Sequence, residues 1–184
     1  MNIQPVGVQY KYWCIGKLLF MLRGINIRDL INLGPSNVKN GRIIYKRAKT
    51  GKVYSVSITQ EMQNIFDQFQ DGHTLLSIVS QQEMEDKNMV QIYHQRSKII
   101  NKHLRCFGKT IRTDEEITTY VFRYTYANIA KQLGFSKDLI AEALGHEYGN
   151  KVTGIYLEQF DQGFIDQMNE QIMHAVTLAV ASPF

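Results

Sequence analysis

The sequence predicts a chain of amphipathic helices interrupted by a single β-hairpin. Two observations carry this expectation. Apolar residues recur at helical spacing through most of the chain, as at Phe122, Tyr126, Ile129, Ala130 and Leu133. Alternation of apolar and polar residues is confined to 39–58, where two strand-like runs flank Lys49-Thr50-Gly51-Lys52. At 184 residues the chain suits one domain, 1–184, and can bury a sizeable core.

Residues 1–12 show no clear period and contain Pro5 and Gly7, which reads as a linker or a cut end. Residues 13–22 are apolar and helical in pattern. A break at Gly24 precedes a second helix with Ile27, Leu30, Ile31 and Leu33 on its buried side, stopped by Gly34-Pro35. After the hairpin, 60–69 is helix-like, and 71–82 holds a short apolar patch, Leu75 to Val79. From His94 to Arg112, Ile99, Ile100, Leu104 and Phe107 supply an apolar stripe on a helix with a basic opposite face. Thr118 and Thr119 suit the start of the next helix, which Gly134 closes. Ser136 caps another, with Leu139, Ile140, Ala143 and Leu144 on its apolar side, and Gly145 ends it. A last helix over 160–180 carries Phe164, Ile165, Met168, Ile172, Met173 and Val176.

Charge is unevenly spread. Of the 21 Lys and Arg residues, 17 precede residue 113, whereas 10 of the 17 Asp and Glu residues follow it. A basic first half is what a binder of the phosphate backbone needs. Six basic residues and no acid lie between Lys39 and Lys52, and six more lie between His94 and Arg112. Arg28, Arg42, Lys46, Arg47, Lys52, Lys98 and Lys102 are therefore candidate DNA-backbone contacts. His73, His94 and His103 form no ligand pattern and read as surface or backbone-binding residues. Cys14 and Cys106 make neither a disulfide framework nor a zinc spacing, which suits buried thiols in a reduced compartment. No apolar run reaches membrane-spanning length, and no secretory pattern opens the chain.

The densest chemistry lies between Thr118 and Asp161. Tyr120 and Arg123 share a face at the start of one helix, where an Arg beside free backbone N–H groups suits a phosphate. His146 sits just beyond the end of the next helix, and Tyr156 follows ten residues later. Taken singly, His146 reads as a cation at a helix C-terminus and Tyr156 as half-buried core.

In this order the residues resemble the catalytic domain of the tyrosine recombinase (phage integrase) family. Its pattern is His-x-x-Arg, then Leu-Gly-His, then a nucleophilic Tyr. Here Tyr120-Val121-Phe122-Arg123 stands for the first part, with Tyr120 a departure, and Leu144-Gly145-His146 and Tyr156 match. The wording around Tyr156 looks most like integrases of mobile elements from Bacteroides-type bacteria. Lys49 matches the hairpin lysine of the family. The family's first arginine falls on Asn26 when aligned on the acid Asp29; Arg23 is the preferred substitute, with Arg28 the alternative.

The resemblance spans Arg23 to Asp161 and implies a mostly α domain with a small antiparallel β-sheet, the DNA breaking-rejoining type of fold. It implies a site-specific DNA recombinase that integrates or excises a mobile element through a covalent 3′-phosphotyrosine. Tyr156 would be the nucleophile, Arg123 and Arg23 the phosphate clamps, Lys49 the acid for the leaving 5′ oxygen, and His146 a phosphate ligand. Tyr120 could donate one hydrogen bond there but cannot become cationic near neutral pH. No metal cluster or nucleotide loop is visible, so no cofactor is expected. Implied partners are double-stranded DNA, other protomers in a synaptic tetramer and an accessory DNA-bending protein, in a bacterial cytoplasm at the nucleoid and not at a membrane. Residues 162–184 would contact a neighbouring protomer on DNA, or fold back in cis when the domain is alone, and the N-terminal core-binding domain usual in the family is expected to be absent. An alternative is a catalytically impaired DNA-binding module derived from an integrase, which the Asn26 and Tyr120 departures favour. An interaction domain with no DNA role sits poorly with the basic hairpin.

Overall fold

The computed structural model describes residues 5–85, 88–146 and 161–181. It is mostly helical with a three-stranded antiparallel sheet. The central element is α1 (Val8–Met21), which buries Cys14, Ile15, Leu18, Leu19 and Met21. That spacing of three and four places them on one face. α1 packs against α3 (Gln60–Phe69), α5 (Met89–Thr110) and α6 (Thr119–Gln132). Its start differs from the expected linker. Residues 8–12 are already helical, because Tyr10 and Tyr12 are held from outside the helix by Phe69 and by a stacked His103 at 3.9 Å.

The chain leaves α1 through two consecutive left-handed residues, Arg23 (φ 58°) and Gly24 (φ 65°). It then enters α2 (Ile27–Ile31), where the Asn26 side chain accepts a hydrogen bond from the Arg28 N–H at 3.0 Å. Asn26 is thus an N-cap, a place where its short amide suits the free backbone donors.

The sheet is ordered β1 (Val38–Lys39), β2 (Arg42–Lys46), β3 (Val53–Ser57). Ile43 pairs with Val56 and Tyr45 with Tyr54, and all four are buried on one face. The two tyrosine rings stack across the strands at 5.2 Å. The expected hairpin is present, with β1 as a third, two-residue strand.

Thr59 caps α3 through the Met62 N–H. A short α4 (Gln81–Met84) opens with a Ser80/Glu83 capping box. α5 turns Ile92, Ile100, Leu104 and Phe107 inward. Asn101 of α5 accepts from the Thr119 N–H at 2.8 Å, so the start of α6 is capped by another helix and not by Thr118. α7 (Lys137–Leu144) runs from the Ser136 cap to left-handed Gly145, with the His146 N–H returning to the Ala141 carbonyl at 2.8 Å. α8 (Gln162–Ala181) buries Ile165, Met168 and Ile172 against Tyr126, Ala130, Leu139, Ile140, Ala143 and Leu144. Phe20 on α1 meets Tyr126 edge-on at 5.8 Å and ties this cluster to the larger one around α1.

Cys14 is buried as expected, but Cys106 is exposed, because it lies on the outer face of α5. Among the described residues no helix is long and apolar enough to cross a membrane, and no group of three His, Cys, Asp or Glu could hold a metal ion.

Candidate active site

Three elements converge at the C-terminal end of α7. Helix ends leave carbonyl oxygens without intrahelical donors, and these carry partial negative charge. Here two guanidiniums answer them. Arg123 of α6 donates from Nη2 to the Leu144 carbonyl at 2.5 Å and from Nη1 to the Gly24 carbonyl at 2.5 Å. Arg47, at the end of β2, donates from Nη1 to the same Leu144 carbonyl at 3.3 Å and to the Gly145 carbonyl. Close approach is possible because two residues lack side chains. A Cβ at Gly24 would lie 2.7 Å from Arg123 Cγ, and one at Gly145 would land on the Tyr54 hydroxyl. Arg123 is the fifth residue of α6, a turn inside its start, so carbonyls rather than free N–H groups fix its orientation.

The hairpin tip is anchored from two sides. The Ala48 N–H donates to Asp29 Oδ1 at 3.0 Å, and Asp29 is buried on α2. Lys52 Nζ pairs with buried Glu142 of α7 at 2.8 Å. Between these anchors Lys49 stands exposed.

The site is strongly cationic. Burial, and after it the neighbouring Arg47, pulls the Arg123 pKa below its ordinary value. His146 is exposed, yet partial desolvation, then Arg123, Arg47 and Lys49, lower its pKa from the ordinary 6.5. Burial raises the pKa of Asp29, which the Ala48 N–H and the charges of Arg47, Arg28 and Arg123 oppose. An assembly of Arg47, Lys49, Arg123 and His146 around one turn is an anion site in chemical terms.

The structure therefore brings Arg123, Arg47 and His146 to one turn, with Lys49 close enough to act electrostatically on His146. Tyr120 stands one turn before Arg123 on α6, 71% exposed. Arg23 lies beneath this surface, under the Tyr54 ring. It is 3% exposed, its Nη2 donates to the Ser55 carbonyl at 2.6 Å, and its guanidinium sits 5.9 Å from the Tyr54 ring centre. Tyr156 lies outside the described residues.

The remaining basic candidates divide by environment. Arg42 is held inside the fold: it bonds Ser55 Oγ at 2.5 Å and Ser57 Oγ at 2.7 Å, and pairs with Asp166 of α8 at 2.8 Å. Lys52 is held by Glu142. Arg28 is exposed with its guanidinium 5.0 Å from the Tyr93 ring of α5, and Lys46, Lys98 and Lys102 are exposed. Asp29 and Asn26 are the positioning residues that spacing alone did not single out. In sequence Asn26 stands out as the place of a missing arginine; the signal for its capping role is a cap-forming side chain before an apolar run.

No family model and no curated protein matches the chain. Among solved structures, the crystal structure of XerA recombinase is similar at 17% identity and a TM-score of 0.45, over 93% of this chain and 65% of that one. The Tn1549 transposon integrase (residues 82–397), in complex with circular intermediate DNA, is similar at 13% identity and a TM-score of 0.46, over 90% of this chain and 59% of that one. The chain thus spans less than two thirds of the length of either.

Proposed function

We propose that this chain is the catalytic domain of a tyrosine-type site-specific DNA recombinase, of the kind found in mobile-element integrases of Bacteroides-type bacteria. The observation that supports it is the meeting of Arg123, Arg47, His146 and Lys49 at the Leu144-Gly145 turn, ten residues ahead of Tyr156. These are the groups that breaking a phosphodiester without a metal requires. The Tyr156 oxygen bonds to phosphorus and gives up its phenolic proton, and the 5′ oxygen departs with a proton from Lys49. Guanidiniums stay charged throughout and hold the non-bridging oxygens as negative charge develops. His146, whose charged form is disfavoured by partial desolvation and then by its cationic neighbours, donates a hydrogen bond to the phosphate or accepts the tyrosine proton. Tyr120 is a further donor. The phosphotyrosine retains the bond energy, so the free 5′ hydroxyl of another strand reseals the backbone.

Duplex DNA is the substrate, and further protomers supply the other active sites of a synaptic tetramer, with the C-terminal segment, folded in cis onto α6 and α7 in the isolated chain, moving to a neighbouring protomer on DNA. An accessory DNA-bending protein would assist, at the nucleoid. Incubation with duplexes copied from the DNA flanking the gene, each carrying one nick, should trap a covalent protein–DNA adduct. Salt-dependent DNA binding with no adduct on any duplex would instead support a non-catalytic DNA-binding module. That second reading draws on Asn26, whose side chain is occupied in capping α2.

A further inference from the structure

Strand transfer needs two guanidiniums on one phosphate, and sequence spacing offers Arg23 beside Arg123. The geometry points to Arg47 instead: together with Arg123 it forms a clamp for a single DNA phosphate, an assignment that rests on the recombinase reading.

Three features support the clamp. Arg47 Nη1 and Arg123 Nη2 reach one oxygen, that of Leu144, at 3.3 and 2.5 Å. Two full positive charges on one neutral carbonyl repel each other, and an incoming phosphodiester brings the compensating charge. It also offers two non-bridging oxygens, one for each planar fork. Second, the Arg47 backbone is fixed. Its N–H donates to the Lys52 carbonyl at 2.9 Å, its carbonyl accepts from the Gly51 N–H at 2.8 Å, and Asp29 holds the next residue. A long side chain on such a base is positioned before substrate arrives. Third, Lys49 is two residues away on the same tip, so the charge clamp and the leaving-group acid travel on one element.

Arg23 has the opposite character. It is buried beneath β3 and bonded to the Ser55 carbonyl, and its Nε has no hydrogen-bond partner among the described residues. To reach a phosphate it would have to abandon the strand. Arg23 is a positioning residue that holds β3 to the end of α1.

The test has a binding arm and a cleavage arm. Affinity for inorganic phosphate is measured by nuclear magnetic resonance titration of wild type, Arg47→Gln, Arg47→Lys and Arg23→Lys. Arg47→Gln should weaken phosphate about tenfold or more, the scale of one charge-assisted hydrogen bond, in a protein that still unfolds cooperatively. Arg47→Lys should fall between, and Arg23→Lys should bind within about twofold of wild type while melting earlier. Wild-type phosphate affinity in Arg47→Gln overturns the clamp, as does an equal loss in a folded Arg23→Lys. In the cleavage arm, Arg47→Gln should slow adduct formation on nicked duplex about 10²-fold or more. A neutral methylphosphonate at the cleaved position should narrow that gap, which a merely structural arginine would not produce. Wild-type cleavage by Arg47→Gln overturns the assignment. Absence of any wild-type adduct, with phosphate still dependent on Arg47, refutes the recombinase reading and leaves an anion clamp of another use.

Discussion

Gly24 and Arg123 are in backbone-to-side-chain contact: the Gly24 carbonyl accepts from Arg123 Nη1 at 2.5 Å, and a Cβ there would stand 2.9 Å from Arg123 Cα. Gly24 also has φ of 65°. Gly24→Ala therefore meets both left-handed strain and a clash with backbone, and should cost about 1–3 kcal/mol. Urea denaturation measures the loss. The same variant should displace the Arg123 guanidinium and weaken inorganic phosphate binding. A variant as stable as wild type with unchanged phosphate affinity would show that the two elements are not in register as described.

His146 supplies a pH prediction. Its folded pKa lies below the ordinary 6.5 because desolvation, Arg123, Arg47 and Lys49 all disfavour the imidazolium. The unfolded chain then binds the proton more readily, so the His146 contribution to stability declines as pH falls from about 6.5 through the depressed value. Bound phosphate reverses the local field and should raise the His146 pKa. Histidine ring resonances followed against pH report both shifts, and Arg47→Gln should move the phosphate-free value upward. A His146 that titrates above 6.5 in the free protein contradicts the cationic site.

If Tyr156 is the nucleophile, as proposed, Tyr156→Phe should abolish the covalent DNA adduct while leaving duplex binding nearly intact, since the phenyl ring keeps the bulk and loses only the phenolic oxygen. Denaturing gels of the nicked-duplex reaction read this directly. Persistence of the adduct would transfer the role to another tyrosine, with Tyr148 the one to examine first. Lys49→Ala should retain binding and slow cleavage, with rescue by a duplex whose bridging 5′ oxygen is sulfur, a better leaving group that needs no proton.

Met168 is fully buried where α8 meets α6 and α7. Met168→Ala should destabilise the protein by about 2–5 kcal/mol through lost packing and a residual cavity. Truncation after Asp161 removes Ile165 and Ile172 as well, and would bare the apolar faces of α6 and α7. Its expected outcome is aggregation at low salt and high salt alike, measured by light scattering. A soluble, cooperatively folding truncation would mean that α8 contributes little to the core of the isolated chain.

How much of this could be read beforehand depends on the range of the interaction. α3 and α7 were legible almost to the residue because Thr59, Ser136 and Gly145 are local signals that cap or end a helix. The start of α1 was not, since Tyr10 and Tyr12 are stabilised by rings far along the chain. β1 is too short to show alternation. Within the site, Arg123 and His146 were picked out by spacing, and the structure brings them to one turn. Arg47 was one of six basic residues in the hairpin, and nothing local separated it from Arg42. Only the tertiary arrangement sends one to the end of α7 and the other to Asp166. Arg23 looked available because an arginine in sequence carries no mark of burial.

The hairpin is fastened at both ends. At its base Arg42 joins β2 to β3 and to Asp166 of α8; at its tip Asp29 holds Ala48 and Glu142 holds Lys52. An unattached basic loop would lose its freedom only when DNA arrives, and that ordering would subtract from affinity. Here the freedom is surrendered when the polypeptide folds. If the chain is the recombinase proposed above, more of the free energy of DNA contact is then left to distinguish the transition state from the resting phosphodiester, and loosening either fastening should appear as a slower reaction before it appears as weaker binding.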